Sequence, residues 1–145
     1  GATIMSVYQG KQYRVGWYIV GFGIAYDKAA FETAGLDPES PPTTWDAFLD
    51  ACDKIKGAGL IPFSAGVKDG FWGEWYFVNT LTQALDNPSQ AIDLFIGELD
   101  WTTPQYYEQW SKLQELVENG FINEDANSLE LYQGIQLKDE DQVLR

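Results

Sequence analysis

The chain has no histidine, one cysteine and only nine basic residues against 22 acidic ones in its 145 residues. Without histidine, the usual general base and the commonest metal ligand are both missing. The single Cys52 excludes an internal disulfide and a multi-thiolate metal centre. It has no histidine to activate it, which argues against nucleophilic catalysis. The formal charge of −13 repels phosphate backbones and anionic headgroups, so nucleic acid and membrane surfaces are disfavoured partners. The basic residues, among them Lys11, Arg14 and Lys28, are scattered and build no patch. No run approaches the roughly 20 apolar residues of a membrane helix. The start, Gly1-Ala2-Thr3-Ile4-Met5, lacks the basic-then-apolar order of an export leader, so an exported form is expected to carry its leader elsewhere. No cofactor and no metal site are implied.

Aromatic side chains are plentiful: six Trp, eight Tyr and eight Phe, or 15% of the chain. One small core rarely needs six tryptophans, so some are candidates for a surface or a pocket, although Trp also dominates ordinary cores. Residues 12–20 are rich in Tyr, Val, Trp and Ile and predict a strand, which Gly21-Phe22-Gly23 interrupts and residues 24–26 continue. A short helix over 28–33 should end at Gly35. Thr43 or Thr44 caps the next helix, with Asp46 placed to close a capping box on Thr43. Trp45, Phe48, Leu49, Cys52 and Ile55 form its apolar face, and Gly57 and Gly59 stop it. Residues 60–64 read as a short buried strand whose Pro62 suggests an edge or bulge.

Residues 65–73 read as a glycine-containing loop, followed by a helix from Glu74 to about Leu85. Asn87 and Pro88 open another helix to about Ile96. Thr103-Pro104 opens the clearest one, which Gly120 ends. Its expected apolar stripe is Tyr106, Trp110, Leu113 and Val117, with Glu108, Lys112, Glu115 and Glu118 facing water. A last helix spans about 129–135. Strands separated by helices argue for an α/β layered domain with a small sheet flanked by helices. Two or three strands are few for a complete sheet.

The densest aromatic run is Gly70-Phe71-Trp72-Gly73-Glu74-Trp75-Tyr76-Phe77. Sugars present apolar C–H faces and rings of hydroxyls, so their sites combine flat aromatic platforms with carboxylates or amides. Trp72 is the candidate platform, Glu74 and Asp69 the candidate hydroxyl acceptors, and Trp75 either stacks or supports. The plain alternative is that these aromatics pack the start of a helix, with Trp75, Phe77 and Val78 in the core and Trp72 more exposed. Residues 21–26 lack the third glycine and the following helix of a dinucleotide fingerprint. They are either a twisted strand with a bulge or a hinge crossing whose Tyr18, Val20 and Phe22 line a cleft. Asn123, Asp125 and Asn127 alternate like the opening of a calcium loop, but Ser128 stands where glycine is required, which leaves a capping or turn role. Cys52 is expected to be a buried structural thiol, and Trp45, Trp101 and Trp110 are expected in the core. Acidic pairs such as Asp46/Asp50 fall on solvated faces. Nothing positively supports the carboxylate pair of a glycosidase.

Several stations occur in a fixed order. They are Phe22-Gly23-Ile24-Ala25-Tyr26-Asp27-Lys28, then Phe31-Glu32-Thr33-Ala34-Gly35-Leu36, then Thr43-Thr44-Trp45-Asp46-Ala47-Phe48. Gly59-Leu60-Ile61-Pro62-Phe63, Gly73-Glu74-Trp75-Tyr76-Phe77, Asp100-Trp101-Thr102 and Gly120-Phe121-Ile122-Asn123 follow. Together they resemble the extracellular solute-binding proteins of carbohydrate ABC importers, the maltose-binding-protein-like family, over about residues 12–137. Asp27 stands where that family usually has Asn.

The resemblance implies an incomplete C-terminal lobe of a type II periplasmic-binding-protein fold. Residues 1–11 would be an N-terminal extension or interlobe segment, 12–137 the solute-binding lobe, and 138–145 a charged tail. Lys138-Asp139-Glu140-Asp141 departs from the family pattern there. The implied protein is extracytoplasmic, not an enzyme, and captures a sugar or oligosaccharide between two lobes for an ABC permease. The missing first lobe is then a partner, and a dimer through exposed lobe surface is a further expectation. Tyr18, Phe22, Asp69, Trp72 and Glu74 would face the cleft. The alternatives are a carbohydrate-active hydrolase fragment and a sensor or interaction module.

Overall fold

A computed structural model describes residues 7–13, 21, 23–87 and 90–137. Two compact units divide the chain, one from residues 1–23 and 75–111, the other from 24–74 and 112–145. Six α-helices are defined among the described residues: α1 (Lys28–Thr33), α2 (Trp45–Gly57), α3 (Phe71–Ala84), α4 (Gln90–Phe95), α5 (Pro104–Glu118) and α6 (Leu131–Gln136). Helices α3 and α5 each contribute to both units. Strands β1 (Val7–Tyr8) and β2 (Lys11–Gln12) form an antiparallel hairpin with Val7 opposite Gln12. Its turn residues, Gln9 and Gly10, have φ of 50° and 74°, the left-handed pair that matches the twist of a two-residue hairpin. The hairpin straddles the boundary expected after residue 11.

The second unit is built on three helix endings of one kind. After α1, α2 and α5 come Gly35-Leu36, Gly59-Leu60 and Gly120-Phe121, with the glycines at φ of 71°, 81° and 63°. In each case the apolar residue's N–H reaches back to close the helix: Leu36 to Phe31 O at 2.8 Å, Leu60 to Ile55 O at 3.2 Å, Phe121 to Leu116 O at 3.0 Å. This satisfies carbonyls that the helix end would otherwise strand, and it sets one apolar side chain against another. Ala30, Phe31, Ile55 and Leu60 thus share one core cluster, with Ala34 and Leu36 packed on it. Lys56 completes the end of α5 by donating to Asn119 O at 2.6 Å, a cation placed at a helix C-terminus.

Helix α2 is capped by Thr44, whose hydroxyl accepts from Ala47 N at 3.3 Å. The expected capping box through Asp46 does not form, because Ala47 and not Asp46 occupies the third helical position. A box does form at α6, where Glu130 and Gln133 bond reciprocally. On α5 the buried side chains are Tyr106, Gln109 and Leu116, with Leu113 half-buried. The stripe is rotated from the one expected, leaving Trp110 at 43% and Val117 at 60% exposure. Gln109 tolerates burial because its amide donates to Gln105 O at 3.3 Å. Glu115 is half-buried, not water-facing, since it accepts from the Trp45 indole at 2.7 Å, while Lys112 Nζ lies 5.6 Å from the Trp45 ring centroid.

The first unit has its own core of Leu81, Leu94 and Tyr106, with Ala84, Leu85, Leu99 and Trp101 packed on it. Trp101 meets Phe95 edge-on at 5.7 Å. Asp100 accepts from Thr102 N and Thr102 Oγ1, both at 2.8 Å, and these bonds hold its carboxyl below its ordinary range.

β pairing is sparse among the described residues. Besides the hairpin there is one parallel bridge, Phe63 to Ile122. Residues 24–26 lie outside any strand, and most of the expected strand over 12–20 lies outside the described residues. The 138–145 tail lies outside them too. No helix among the described residues is long and apolar enough to cross a membrane.

Candidate functional site

Trp72, Glu74 and Asp69, three of the residues singled out from sequence, lie on one stretch of the second unit. The chain leaves α2 at Gly59, passes Leu60, which is buried, and reaches Phe63, whose N–H donates to Phe121 O at 2.9 Å. One residue pair further, the ladder is continued by a side chain. Asn123, only 6% exposed, accepts from Ala65 N at 2.7 Å and donates to Ala65 O at 3.1 Å. Its amide also donates to Asp125 Oδ1 at 2.7 Å. Val67 N then donates to Ala126 O and Lys68 N to Leu129 O, at 3.0 and 2.9 Å. Asp69 closes the series by accepting from Leu131 N at 3.2 Å, in the first turn of α6. Residues 63–69 are therefore laid along 121–131, bond by bond.

Two glycines permit that approach. A Cβ on Gly134 would stand 2.5 Å from Ala65 C, and one on Gly66 would stand 2.6 Å from Glu130 C. Only hydrogen fits where α6 crosses the 65–66 backbone.

Gly70, at φ 82°, then turns the chain into α3, and Glu74 N donates to Gly70 O at 3.2 Å. The helix begins at Phe71, so Trp72 sits in its first turn and not in the loop expected from the flanking glycines. Trp72 is half-buried and meets Phe63 edge-on, 5.9 Å between centroids at 78°. Phe63 meets Phe48 edge-on at 6.2 Å, and Phe48 lies 5.5 Å from Trp45. Edge-to-face contacts of this kind add about 0.5–1.5 kcal/mol each beyond burial and fix ring orientation. Glu74 is exposed in the first turn, where the helix dipole favours a carboxylate. Asp69 is also exposed. The arrangement offers one oriented indole with an exposed carboxylate on either side of it in the chain.

Trp75 is half-buried on α3 in the first unit, and its carbonyl accepts from Asn79 Nδ2 at 2.8 Å. Tyr18 and Phe22 lie outside the described residues, as do the side chains of Phe77 and Val78. Residue patterns alone did not single out Phe63 and Phe48 as ring supports, nor Asn123 as a strand surrogate. A polar residue directly after the Gly-Phe-Ile turn, whose Phe121 is buried, was the one available signal for Asn123. Asp125 stands at the head of a 3-10 turn, Ala126–Ser128, as the turn reading expects, but its side chain makes no capping bond and accepts from Asn123 instead. Among the described residues no grouping of three or more acidic or thiol side chains can hold a metal ion.

A family model for bacterial extracellular solute-binding proteins matches residues 2–132, and the chain belongs to that family. Within it, the chain is similar to the sn-glycerol-3-phosphate-binding periplasmic protein UgpB of Escherichia coli K12, 27% identical over 117 residues. The match covers 75% of this chain and 26% of that protein. The same protein of Salmonella typhimurium matches at the same identity and coverage. Among solved structures, a chitin oligosaccharide binding protein superposes with a TM-score of 0.65 at 27% identity, over 81% of this chain and 29% of that one. The chain thus spans about a quarter of the length of these relatives, 26% for the first.

Proposed function

We propose that this chain belongs to a carbohydrate receptor of an ABC importer and forms part of the lobe that closes on the ligand. The observation that carries the reading is the oriented Trp72 indole, set by Phe63 and flanked by exposed Asp69 and Glu74, in a chain of the solute-binding family. Trp72 stacks against a sugar ring. Glu74 accepts hydroxyl protons, as does Asp69 through the oxygen that Leu131 does not engage. Trp75, Tyr18 and Phe22 are further candidate contacts for the same ligand. No step of catalysis belongs to this reading, and the relatives are themselves described as binding proteins. An extracytoplasmic location and delivery to a membrane permease follow from it.

A second reading, a phosphorylated polyol ligand, is favoured by the name of the glycerol-3-phosphate-binding relative. The charge of −13 and the carboxylates around Trp72 weigh against a phosphate dianion and toward an uncharged, hydroxyl-rich ligand. Calorimetric titration of the full protein with a chitin oligosaccharide and with sn-glycerol 3-phosphate separates the two. The oligosaccharide should bind and lose about tenfold or more in affinity in Trp72→Ala, a loss of at least ~1.4 kcal/mol. Unchanged affinity in that variant would remove Trp72 from the site.

A further inference from the structure

We propose that Asn123 is the positioning residue of the Trp72 platform, acting from a separate segment of chain. The inference rests on Trp72 being a ligand contact, as proposed above.

The backbone between Phe63 and Trp72 makes few bonds to itself and many to residues 121–131. Phe63 is held by Phe121 O, Ala65 by the Asn123 side chain at both its N–H and its C=O, Val67 by Ala126 O and Lys68 by Leu129 O. Two residues after Lys68 comes Gly70, where the chain turns into α3 with Trp72 in its first turn. Among the described residues, Asn123 is the only side chain that supplies both an acceptor and a donor to this series, and it is buried. Its amide N–H bonded to Asp125 Oδ1 at 2.7 Å fixes which end of the group is oxygen and which is nitrogen. Asn is therefore matched to a task that no other short side chain performs: Asp lacks the donor, Ser and Ala lack the reach, and Leu lacks both groups. Phe63, the ring that meets Trp72 edge-on, sits at the start of the same tethered run. Loss of the Asn123 rung should let the segment from Ala65 to Gly70 drift while the Gly-capped helices α1 and α2 stay in place. Trp72 would then be presented in a less defined orientation.

The test uses Asn123→Asp and Asn123→Ala in the full protein, each also combined with Trp72→Ala. Hydrogen exchange is followed at the amides of Ala65, Val67, Lys68 and Gly70, and at those of α1 and α2 as an internal control. Affinity for a chitin oligosaccharide is measured well below the melting temperature. Positioning predicts exchange about tenfold faster at the four amides with the α1 and α2 amides unchanged. It also predicts about a tenfold loss of affinity that disappears in the Trp72→Ala background. Uniform acceleration of exchange throughout the protein, or the same affinity loss with and without Trp72, would overturn it. If the unaltered protein binds no sugar probe, the Trp72 reading falls separately, and local exchange at Ala65–Gly70 still decides whether Asn123 holds that segment.

Discussion

Cys52 shows how far an environment can change one side chain. It sits on the buried face of α2 at 2% exposure, and burial, with a smaller push from the Asp53 carboxylate, raises its thiol to about 12. The thiolate is the reactive form, so the native protein should resist Ellman's reagent near neutral pH, whereas the urea-unfolded chain should react at the rate of an ordinary thiol. Prompt labelling of the native protein would contradict the burial. Tyr76, also raised to about 12 by burial, acts in the same direction. Both groups are acids whose folded pKa lies above the unfolded one. Their neutral forms are shared by both states below pH ~9. As pH climbs from there toward about 12, the unfolded chain releases protons that the folded chain keeps, and stability falls. Urea midpoints should therefore drop over that interval, and Cys52→Ala should flatten the lower part of the decline.

Elements were legible where a local rule decides them. Helix α1 ends where Gly35 allows a left-handed residue, α2 begins at a threonine cap, and α5 runs from Thr103-Pro104 to Gly120, all visible as short patterns. What was not legible depends on distant chain. Gly73 reads as a helix breaker, yet it lies inside α3, because the turn is made at Gly70 and Gly73 has open space around it. The sheet expected from residues 60–64 shrinks to a single bridge, since Asn123 supplies by side chain what a strand would supply by backbone. Asp69 showed as an acid near an aromatic run, and its bond to the start of α6 could not be seen without the fold. The glycines give a test at this scale. Gly57 ends α2 with open space around its missing Cβ, so Gly57→Ala should stabilise by about 0.5 kcal/mol. Gly134 lies in α6 against the Ala65 carbonyl carbon, so Gly134→Ala should destabilise by about 2 kcal/mol or more. Urea unfolding of the pair reads both signs, and equal small effects would show that α6 does not cross the 65–66 backbone closely.

At the scale of the molecule the dominant fact is charge. Twenty-two acidic residues face nine basic ones, a net of −13, on a chain of 145 residues. Among the described residues, Lys28 meets Glu39 at 2.6 Å, but both side chains are well exposed, where such a pair contributes ~0–1 kcal/mol. Folding brings the remaining carboxylates closer than they are in the unfolded chain, so the compact state carries a repulsive term. That term acts over distances comparable to the screening length, ~10 Å at 0.1 M salt, and should weaken as salt is added. Near neutral pH, moving from about 0.02 to about 0.3 M sodium chloride should raise the melting temperature by about 2–4 °C, equivalent to ~1 kcal/mol. Attractive pairs are screened too, but with acids outnumbering bases more than two to one the repulsive sum prevails. The sign has its own control. Near pH 4.1, where the net charge vanishes, the same salt increment should bring no stabilisation or a slight loss. A melting temperature that is flat or falling with salt at neutral pH would mean that the acidic surface does not strain the fold. The same field repels an approaching anion at long range and leaves an uncharged molecule unaffected.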